Sequence, residues 1–154
     1  MESLIPILLV EDDRGDAMIF KRALKDLNIS NPMVCLPDCK EALSYLIETN
    51  NARPGIILTD LNTPQMNAIE FLKAIKTDDA LKKIPIVVFS GSDDEADMAE
   101  CLKSGAARYM VKPNEYKKLL ELINDIHKYW IMSELPDNNM NFQSGHLVFP
   151  EAVI

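Results

Sequence analysis

Five short apolar runs, separated by stretches with helical spacing, constrain the fold of this chain more than any other feature. The runs predict strands at residues 4–10, at 33–36, at 56–59, after Pro85 and at 107–111. Short apolar, β-rich runs that alternate with helical patterns are typical of buried parallel strands. The alternation therefore predicts a doubly wound α/β fold with helices on both faces of one parallel sheet.

Capping signals and apolar spacing set the predicted helices. The first helix ends near Asn28. Asp38 and Ser92 each stand three residues before a glutamate, a capping-box pattern that predicts the starts of the second and fourth helices. Gly105 is predicted to be the left-handed residue that ends the fourth helix, and the last helix is predicted at 114–131. The residues expected to face the sheet are Ala42, Leu43, Leu46 and Ile47 in the second helix, and Leu119, Leu122, Ile123, Ile126 and Trp130 in the last.

Length and charge limit the class of protein. The chain has 154 residues, of which 47% are hydrophobic, which suits one buried core and is too short for two ordinary domains. Lys and Arg number 16 against 24 Asp and Glu, giving a net charge of −8. Phosphate backbones are bound mainly by Lys and Arg, so this charge argues against nucleic acid or an anionic membrane as the direct partner. The expected direct partner is a protein.

The cysteines and the N-terminal residues indicate a reducing compartment. Cys35, Cys39 and Cys101 are odd in number and lack paired C-x-x-C spacing, so neither a disulfide framework nor a zinc site is predicted. Residues 1–4 have no basic segment leading into a long apolar run, and no run reaches the ~18 residues typical of a membrane span. We therefore expect a cytoplasmic protein without a membrane segment.

Polar side chains stand where four of the predicted strands end. They are Glu11 and Asp12 after the first strand, Asp60 and Asn62 after the third, Ser90 after the fourth and Lys112 after the fifth. In doubly wound sheets, ligands bind outside the carboxyl ends of the strands. These six residues are therefore predicted to meet at one edge of the sheet.

The residue types at this edge fit phosphoryl transfer to a carboxylate. A fold that holds a phosphate ester directly offers it a glycine-rich loop after the first strand, whereas this chain has a run of acidic residues there. Oxygen ligands without His or Cys point to Mg²⁺, with Mn²⁺ as an alternative. Asp60 is then the predicted nucleophile, forming an aspartyl phosphate. Lys112 is predicted to neutralise the phosphoryl oxygens and Ser90 to donate a hydrogen bond to them.

Residues 5–130 resemble the receiver domain of bacterial response regulators. The resemblance is carried by residues 8–13 (Leu-Leu-Val-Glu-Asp-Asp), 60–67 (Asp-Leu-Asn-Thr-Pro-Gln-Met-Asn), 89–91 (Phe-Ser-Gly) and 105–113 (Gly-Ala-Ala-Arg-Tyr-Met-Val-Lys-Pro). It implies a CheY-like, flavodoxin-like (βα)5 fold whose five-stranded parallel sheet has the order 2-1-3-4-5. The chain is also similar, more weakly, to the stand-alone single-domain receivers of phytochrome-linked pathways.

The resemblance also implies roles for residues at this edge. Asp60 would be the phosphoacceptor. The metal ligands would be Asp12 directly, Glu11 through water, Asp60, and Asn62 through its backbone carbonyl. Ser90 would sense the phosphoryl group and draw Tyr109, the aromatic switch, inward. Lys112 would contact the phosphoryl group beside a Lys112–Pro113 bond that is usually cis in this family.

Three residues near these motifs receive other interpretations. Asp13 is expected to face solvent or Lys112 rather than the metal, and Asp16 is expected to be a helix N-terminal charge. Ala68 stands where the family usually has glycine. Because alanine tolerates positive φ poorly, we expect a stiffer or differently shaped loop there. The two histidines, one on the last helix and one near the C-terminus, are not predicted to be phosphodonors.

Three classes of function compete for these features. The leading one is a single-domain response regulator, phosphorylated at Asp60 by a histidine kinase or a phosphotransfer protein, that signals to a downstream protein. It would be a signalling protein rather than an enzyme, although it would promote its own phosphotransfer and dephosphorylation. A haloacid-dehalogenase-type Mg²⁺ phosphatase would need a second carboxylate two residues after the nucleophile, where this chain has Asn62. A third class is an interaction module that is never phosphorylated.

The C-terminal residues are predicted to form a separate segment. The receiver domain is assigned to residues 1–132, and 133–154 to an extension that is mobile or packs on a partner. This extension is shorter than a helix-turn-helix or winged-helix domain, so DNA-binding output is disfavoured. Residues 129–132 (Tyr-Trp-Ile-Met) are more apolar than the inward stripe of the last helix requires. We therefore expect homodimerisation or partner docking on the face made by the fourth helix, fifth strand and fifth helix.

Overall fold

The computed structural model describes residues 5–134, with side chains as far as Lys128, and contains five strands and five helices. The strands are β1 (Ile7–Val10), β2 (Met33–Leu36), β3 (Ile56–Thr59), β4 (Ile86–Ser90) and β5 (Arg108–Val111). The helices are α1 (Arg14–Asp26), α2 (Cys39–Ile47), α3 (Ala68–Lys76), α4 (Glu95–Lys103) and α5 (Tyr116–Glu134). The predicted C-terminal extension lies almost entirely outside the described residues.

The strands form one parallel sheet in the order β2-β1-β3-β4-β5, as predicted. Strands β2 and β5 are its outer strands. The register pairs Val10 with both Leu36 and Thr59, and Ser90 with Val111. The strands therefore end nearly level, and the residues that follow them lie at one edge.

Hydrophobic side chains fill both faces of the sheet because successive residues of a strand point to opposite sides. Leu8 and Val10 lie on the face covered by α2, α3 and α4, where Phe71 is fully buried. Ile7 and Leu9 lie on the face covered by α1 and α5. A strand buried on both faces has no polar alternation, which is why these strands read as continuous apolar runs.

The predicted cap of α2 is confirmed, whereas that of α4 is not. Asp38 caps α2, its side chain accepting a hydrogen bond from the Glu41 N–H at 2.8 Å. The predicted cap Ser92 is wrong, because Asp94 caps α4 and accepts from Ala96 and Asp97. Two polar residues compete for the cap here, and the carboxylate two residues nearer the helix takes it.

Other element boundaries differ from the predictions by a few residues, and one side chain predicted to face the sheet is exposed. Strand β1 begins at Ile7 rather than at residue 4, and α5 runs from Tyr116 to Glu134. Ile47, expected to face the sheet, is 61% exposed because it is the last residue of α2. Gly105 has φ 115° directly after the C-cap of α4, which confirms the left-handed prediction.

The backbone between β3 and α3 corrects the expectation for Ala68. That residue is fully buried as the first residue of α3, and its φ is not positive. The positive φ of this loop lies at Gln65 (70°) instead. The expected cis Lys112–Pro113 bond is also wrong, since none of the peptide bonds in residues 5–134 is cis. In the same range, no helix combines the length and apolar character needed to cross a membrane.

Candidate functional site

The sheet brings four of the predicted polar positions to one edge through its backbone hydrogen bonds. The N–H of Glu11 donates to the Leu36 carbonyl at 2.9 Å, and the N–H of Asp60 donates to the Val10 carbonyl at 3.1 Å. The N–H of Lys112 donates to the Ser90 carbonyl at 2.7 Å. The parallel ladder thus continues one residue beyond the strands and fixes where each of these side chains begins.

Three carboxylates at this edge could share a cation. Glu11, Asp12 and Asp60 each offer an oxygen, and these oxygens lie within 4.8 Å of one another. The side chains of Glu11 and Asp60 are 6% and 20% exposed, whereas Asp12 is exposed. An all-oxygen donor set is the one that hard divalent cations such as Mg²⁺ prefer, so these residues fit the predicted ion. Asn62 is exposed on the loop after β3, and a role for its carbonyl stays a prediction.

Lys112 supplies the positive charge of the site. Its ammonium donates to Glu11 Oε1 at 2.8 Å and to Asp16 Oδ2 at 3.1 Å, and it lies 3.8 Å from Asp60 Oδ2. Asp16 therefore belongs to the site, although its position in the sequence indicated only a helix N-terminal charge. No local sequence pattern could have found it, because its partner Lys112 lies 96 positions away in the chain. Asp13 is exposed and caps α1 by accepting from the Asp16 N–H at 2.9 Å.

The electrostatics of the site follow from one base among several acids. Burial raises the pKa of Glu11 and of Asp60, and the Lys112 ammonium only partly offsets this. For Lys112, burial alone would lower the pKa, but the surrounding carboxylates outweigh it and raise the pKa above its ordinary value. The pKa shifts of the acids and of Lys112 are consistent with each other. Lys112 interacts with three carboxylates, whereas those three carboxylates have only this lysine between them. The site therefore has an excess of negative charge that favours a cation.

Ser90 and Tyr109 lie together behind the acidic cluster. Ser90 is 3% exposed, and its Oγ accepts a hydrogen bond from the Ser92 N–H at 3.1 Å. Tyr109 is fully buried, and its hydroxyl donates to the Ser92 carbonyl at 2.8 Å. Burial raises the pKa of the Tyr109 phenol. The ring therefore lies inward, and Ser92 joins it to Ser90; the role of Tyr109 as a switch stays a prediction.

A second hydrogen-bonded cluster, which the sequence did not indicate, supports the loop after Asp60. The Thr63 hydroxyl accepts from the Cys39 N–H at 3.1 Å and donates to the Met66 carbonyl. Cys39 is the first residue of α2, so Thr63 satisfies a backbone donor that its own helix cannot. At the end of the loop, Asn67 and Glu70 form a reciprocal capping box that starts α3. The loop is therefore tied to two helices.

An apolar cavity of about 110 Å³ borders the charged residues on the α1 and α5 side. Phe20, Phe89, Pro113 and Leu119 contribute to its wall, which also reaches Asp60. At its outer rim Ile19 is 46% exposed. Asp60 therefore shares this cavity with apolar side chains as well as with Glu11, Asp16 and Lys112.

Known proteins are similar to this chain in sequence and architecture. The family described as the response regulator receiver domain matches residues 7–124. Response regulator Rcp1 from Synechocystis sp. is 33% identical over 81% of this chain and 88% of its own length. The crystal structure of its Mn²⁺-bound form superposes with a TM-score of 0.74 at 32% identity, covering 82% of this chain and 94% of that one.

A second solved structure agrees with the first. The phosphorylated cyanobacterial phytochrome response regulator RcpA superposes with a TM-score of 0.79 at 31% identity, covering 86% of this chain and 98% of that one. The family match covers all five strands and the first four helices. The chain therefore belongs to the receiver domain family of two-component response regulators.

Proposed function

We propose that Asp60 accepts a phosphoryl group from a histidine kinase or a phosphotransfer protein, with Mg²⁺ bound at the acidic cluster. The observation that carries the proposal is the position of Asp60, which belongs to the three-carboxylate cluster and lies 3.8 Å from the Lys112 ammonium. The nucleophile, the cation ligands and the fixed positive charge thus meet at one carboxylate. This arrangement suits transfer of a highly charged group, which depends mainly on positioning and charge stabilisation.

The residues divide the chemistry among them. The Leu61 N–H donates to Asp60 Oδ1 at 2.8 Å, which fixes the carboxylate and leaves Oδ2 on the Lys112 side. A carboxylate oxygen of Asp60 forms the new bond to phosphorus as the bond from phosphorus to the donor breaks. Lys112 and the Ser90 hydroxyl then stabilise the phosphoryl oxygens. A bound divalent cation would supply the remaining positive charge that lets a phosphoryl group approach this acidic edge.

The proposed output is a change in protein contacts. Ser90 and Tyr109 are joined through Ser92 to the loop that leads into α4, so a phosphoryl group that engages Ser90 acts on this segment. We propose that the α4-β5-α5 face carries the phosphorylation-dependent interface, for a downstream protein or a second copy. The protein would act in the cytoplasm, and its own site would also promote loss of the phosphoryl group.

The relatives suggest the class of donor. RcpA is a phytochrome response regulator, and this chain is similar to it over most of its length. We therefore place the donor among histidine kinases linked to phytochrome-type receptors. Phosphotransfer from a panel of purified histidine kinases would show whether such a kinase phosphorylates the chain faster than kinases of other sensory classes.

Labelling by a small phosphodonor tests the central proposal. Acetyl phosphate with Mg²⁺ should add one phosphoryl group to Asp60, located by mass spectrometry of borohydride-reduced peptides. Asp60→Asn should abolish the label. Asp13→Asn should retain the label, because Asp13 is exposed and the asparagine side chain keeps an oxygen that can cap α1. Labelling of the Asp60→Asn protein, or full labelling in a chelator, would show that the proposal is wrong.

The phosphatase alternative makes a different kinetic prediction. A haloacid-dehalogenase-type enzyme turns over repeatedly on phosphate monoesters, whereas the proposed receiver takes its phosphoryl group from a phosphohistidine or from acetyl phosphate. The exposed residue two positions after Asp60 is Asn62, so the second carboxylate of such an enzyme is absent from that position. Steady hydrolysis of p-nitrophenyl phosphate that Asp60→Asn abolishes would favour the phosphatase. An interaction module would show neither labelling nor hydrolysis.

A further inference from the structure

The Lys112 ammonium has two hydrogen-bonded carboxylates that belong to different parts of the site. Glu11, at 2.8 Å, is one of the three carboxylates that could share a cation. Asp16, at 3.1 Å, is not a member of that group and extends from the first turn of α1. Lys112 therefore contacts Glu11, which a bound cation would also engage, and Asp16, which the cation would not engage.

Glu11 cannot serve both positive charges equally well. Its side chain is 6% exposed and already accepts a hydrogen bond from the ammonium, so the ammonium and a divalent cation, held directly or through water, would compete for it. Two cations at neighbouring oxygens of one carboxylate also repel each other. Occupation of the acidic cluster therefore favours a position of Lys112 that is farther from Glu11.

We propose that Asp16 is a positioning residue that holds the Lys112 ammonium beside Asp60 when Glu11 engages the cation. The inference deepens the proposed function, since it rests on cation binding at the acidic cluster. The Asp16 side chain is 47% exposed, so it binds the ammonium without being stripped of water. Lys112 is already in contact with it and 3.8 Å from Asp60, so transfer from two carboxylates to one requires only a small movement.

The proposal differs from a general effect of charge. An acidic residue in the first turn of a helix stabilises the helix and attracts cations wherever its side chain points. Asp13 provides the comparison, because it is an exposed acid at the start of the same helix and caps α1 through its side chain. Asp13→Ser removes one negative charge while keeping an oxygen suited to the cap. If Asp16 acts through Lys112, replacing Asp16 must weaken cation binding more than Asp13→Ser does.

Mg²⁺ affinity, measured by calorimetry on the full chain, gives the test. Without Asp16, Lys112 remains on Glu11 and competes with the ion, so Asp16→Ala should weaken Mg²⁺ binding about two- to fivefold more than Asp13→Ser does. The two changes are then repeated in a Lys112→Met background, which keeps an unbranched apolar stem. In that background Asp16→Ala should weaken Mg²⁺ binding no more than Asp13→Ser does, because this double-mutant cycle reports the contact between Asp16 and Lys112.

The outcomes separate the inference from the proposed function. Two results would overturn the positioning role while leaving the cation site intact. One is that Asp16→Ala still weakens Mg²⁺ binding more than Asp13→Ser does when Lys112 is replaced. The other is that the two changes weaken Mg²⁺ binding equally in the unaltered background. Failure of the unaltered chain to bind Mg²⁺ would overturn both. Thermal unfolding of every variant excludes loss of fold as the cause. Asp16→Ala and Asp13→Ser should stay within a few degrees of their own background, because both positions are exposed.

Discussion

At the scale of single residues, the site gathers more acid than its one lysine balances. Because burial raises the pKa values of Glu11 and Asp60 above their ordinary 4.5 and 3.8, protons compete with a cation at higher pH than they would at exposed carboxylates. We expect Mg²⁺ affinity to be full near neutral pH and to fall as the pH approaches these raised values. Calorimetry between about pH 8 and pH 5 would show the decline. An affinity that stays constant down to the ordinary carboxyl range would contradict it.

Cys35 offers a second measurement at this scale. It is the exposed thiol of the three, while Cys39 and Cys101 are buried, and burial raises the pKa of Cys101 to about 11. Partial burial and the negative charge of Glu11 raise the pKa of Cys35 above 9.0. A thiol reagent should therefore modify one cysteine in the folded protein, at a rate that increases with pH beyond 9.0.

The control for this measurement is Glu11→Gln. Removing the carboxylate charge lowers the pKa of Cys35, so labelling at a fixed pH should become faster while the number of reactive thiols stays at one. Rapid modification of Cys39 or Cys101 in the folded protein would show that their burial is not maintained in solution.

Site residues that directly follow strands could be predicted from the sequence. Site residues whose partners are distant in the sequence could not. Asp60 and Lys112 directly follow apolar runs, so the alternation of strand and helix was enough to place them together. Asp16 was missed because its partner is 96 positions away and no local pattern joins them. Thr63 was missed for the same reason, since its hydroxyl satisfies the backbone of a helix that begins 24 residues earlier.

At the scale of elements, Thr63 links the loop after Asp60 to the start of α2. Thr63→Val keeps the shape of the side chain but leaves the Cys39 N–H and the Met66 carbonyl without this partner. We expect a loss of about 1–3 kcal/mol in the free energy of unfolding, measured with urea. Thr63→Ser keeps the hydroxyl and should recover most of the loss. Equal stability of the valine and serine variants would show that these hydrogen bonds do not stabilise the loop.

Gly105 controls how α4 ends beside β5. Its φ of 115° disfavours any side chain, and an added Cβ would lie 2.8 Å from the Lys76 side chain. Gly105→Ala should therefore lower the free energy of unfolding by about 1–2 kcal/mol. Gly91→Ala is the matched control, because a Cβ there would meet no atom within 4 Å and its φ is outside the left-handed region. Similar losses for both variants would contradict the argument.

Element existence was easier to predict than element ends. Every predicted strand and helix is present because the apolar periodicity extends over whole elements. The start of α4 was misplaced since Ser92 and Asp94 both suit a cap and only the backbone path decides between them. Ile47 was assigned to the core because helical spacing places it on the inner face, whereas the helix ends there and leaves it exposed.

At the scale of the whole molecule, the expected output is a change in association. If the α4-β5-α5 face binds a second copy, beryllofluoride with Mg²⁺, a stable phosphoryl mimic, should increase the sedimentation coefficient. Asp60→Asn should remain unchanged under the same conditions. A chain that stays monomeric with the mimic bound would exclude the dimer and leave a heterologous partner as the output. A second comparison, with the chain truncated after Ser133, would show whether the extension contributes.

The strand order could not be derived from the apolar pattern alone. Alternating strands and helices predict a parallel sheet, and many orders satisfy that description. The order 2-1-3-4-5 came from the resemblance carried by the motifs, and the pairing of β1 with both β2 and β3 confirms it. The apolar stretch at residues 129–132 belongs to α5 by its backbone, but its side chains lie outside the described residues, so its role in docking stays a prediction.

The shortness of the outer strands limits how two copies of this protein can meet. Strands β2 and β5 are each four residues long, with Pro32 and Pro37 directly flanking β2, and Pro113 two residues beyond β5. Proline has no N–H to donate, so neither strand can be lengthened at those positions by a partner. A ladder of four residues is too short to hold two chains together in water. We therefore expect the described part of the chain to associate through side-chain contacts rather than through strand pairing at these two edges, and concentrated solutions to resist the edge-to-edge growth of sheets.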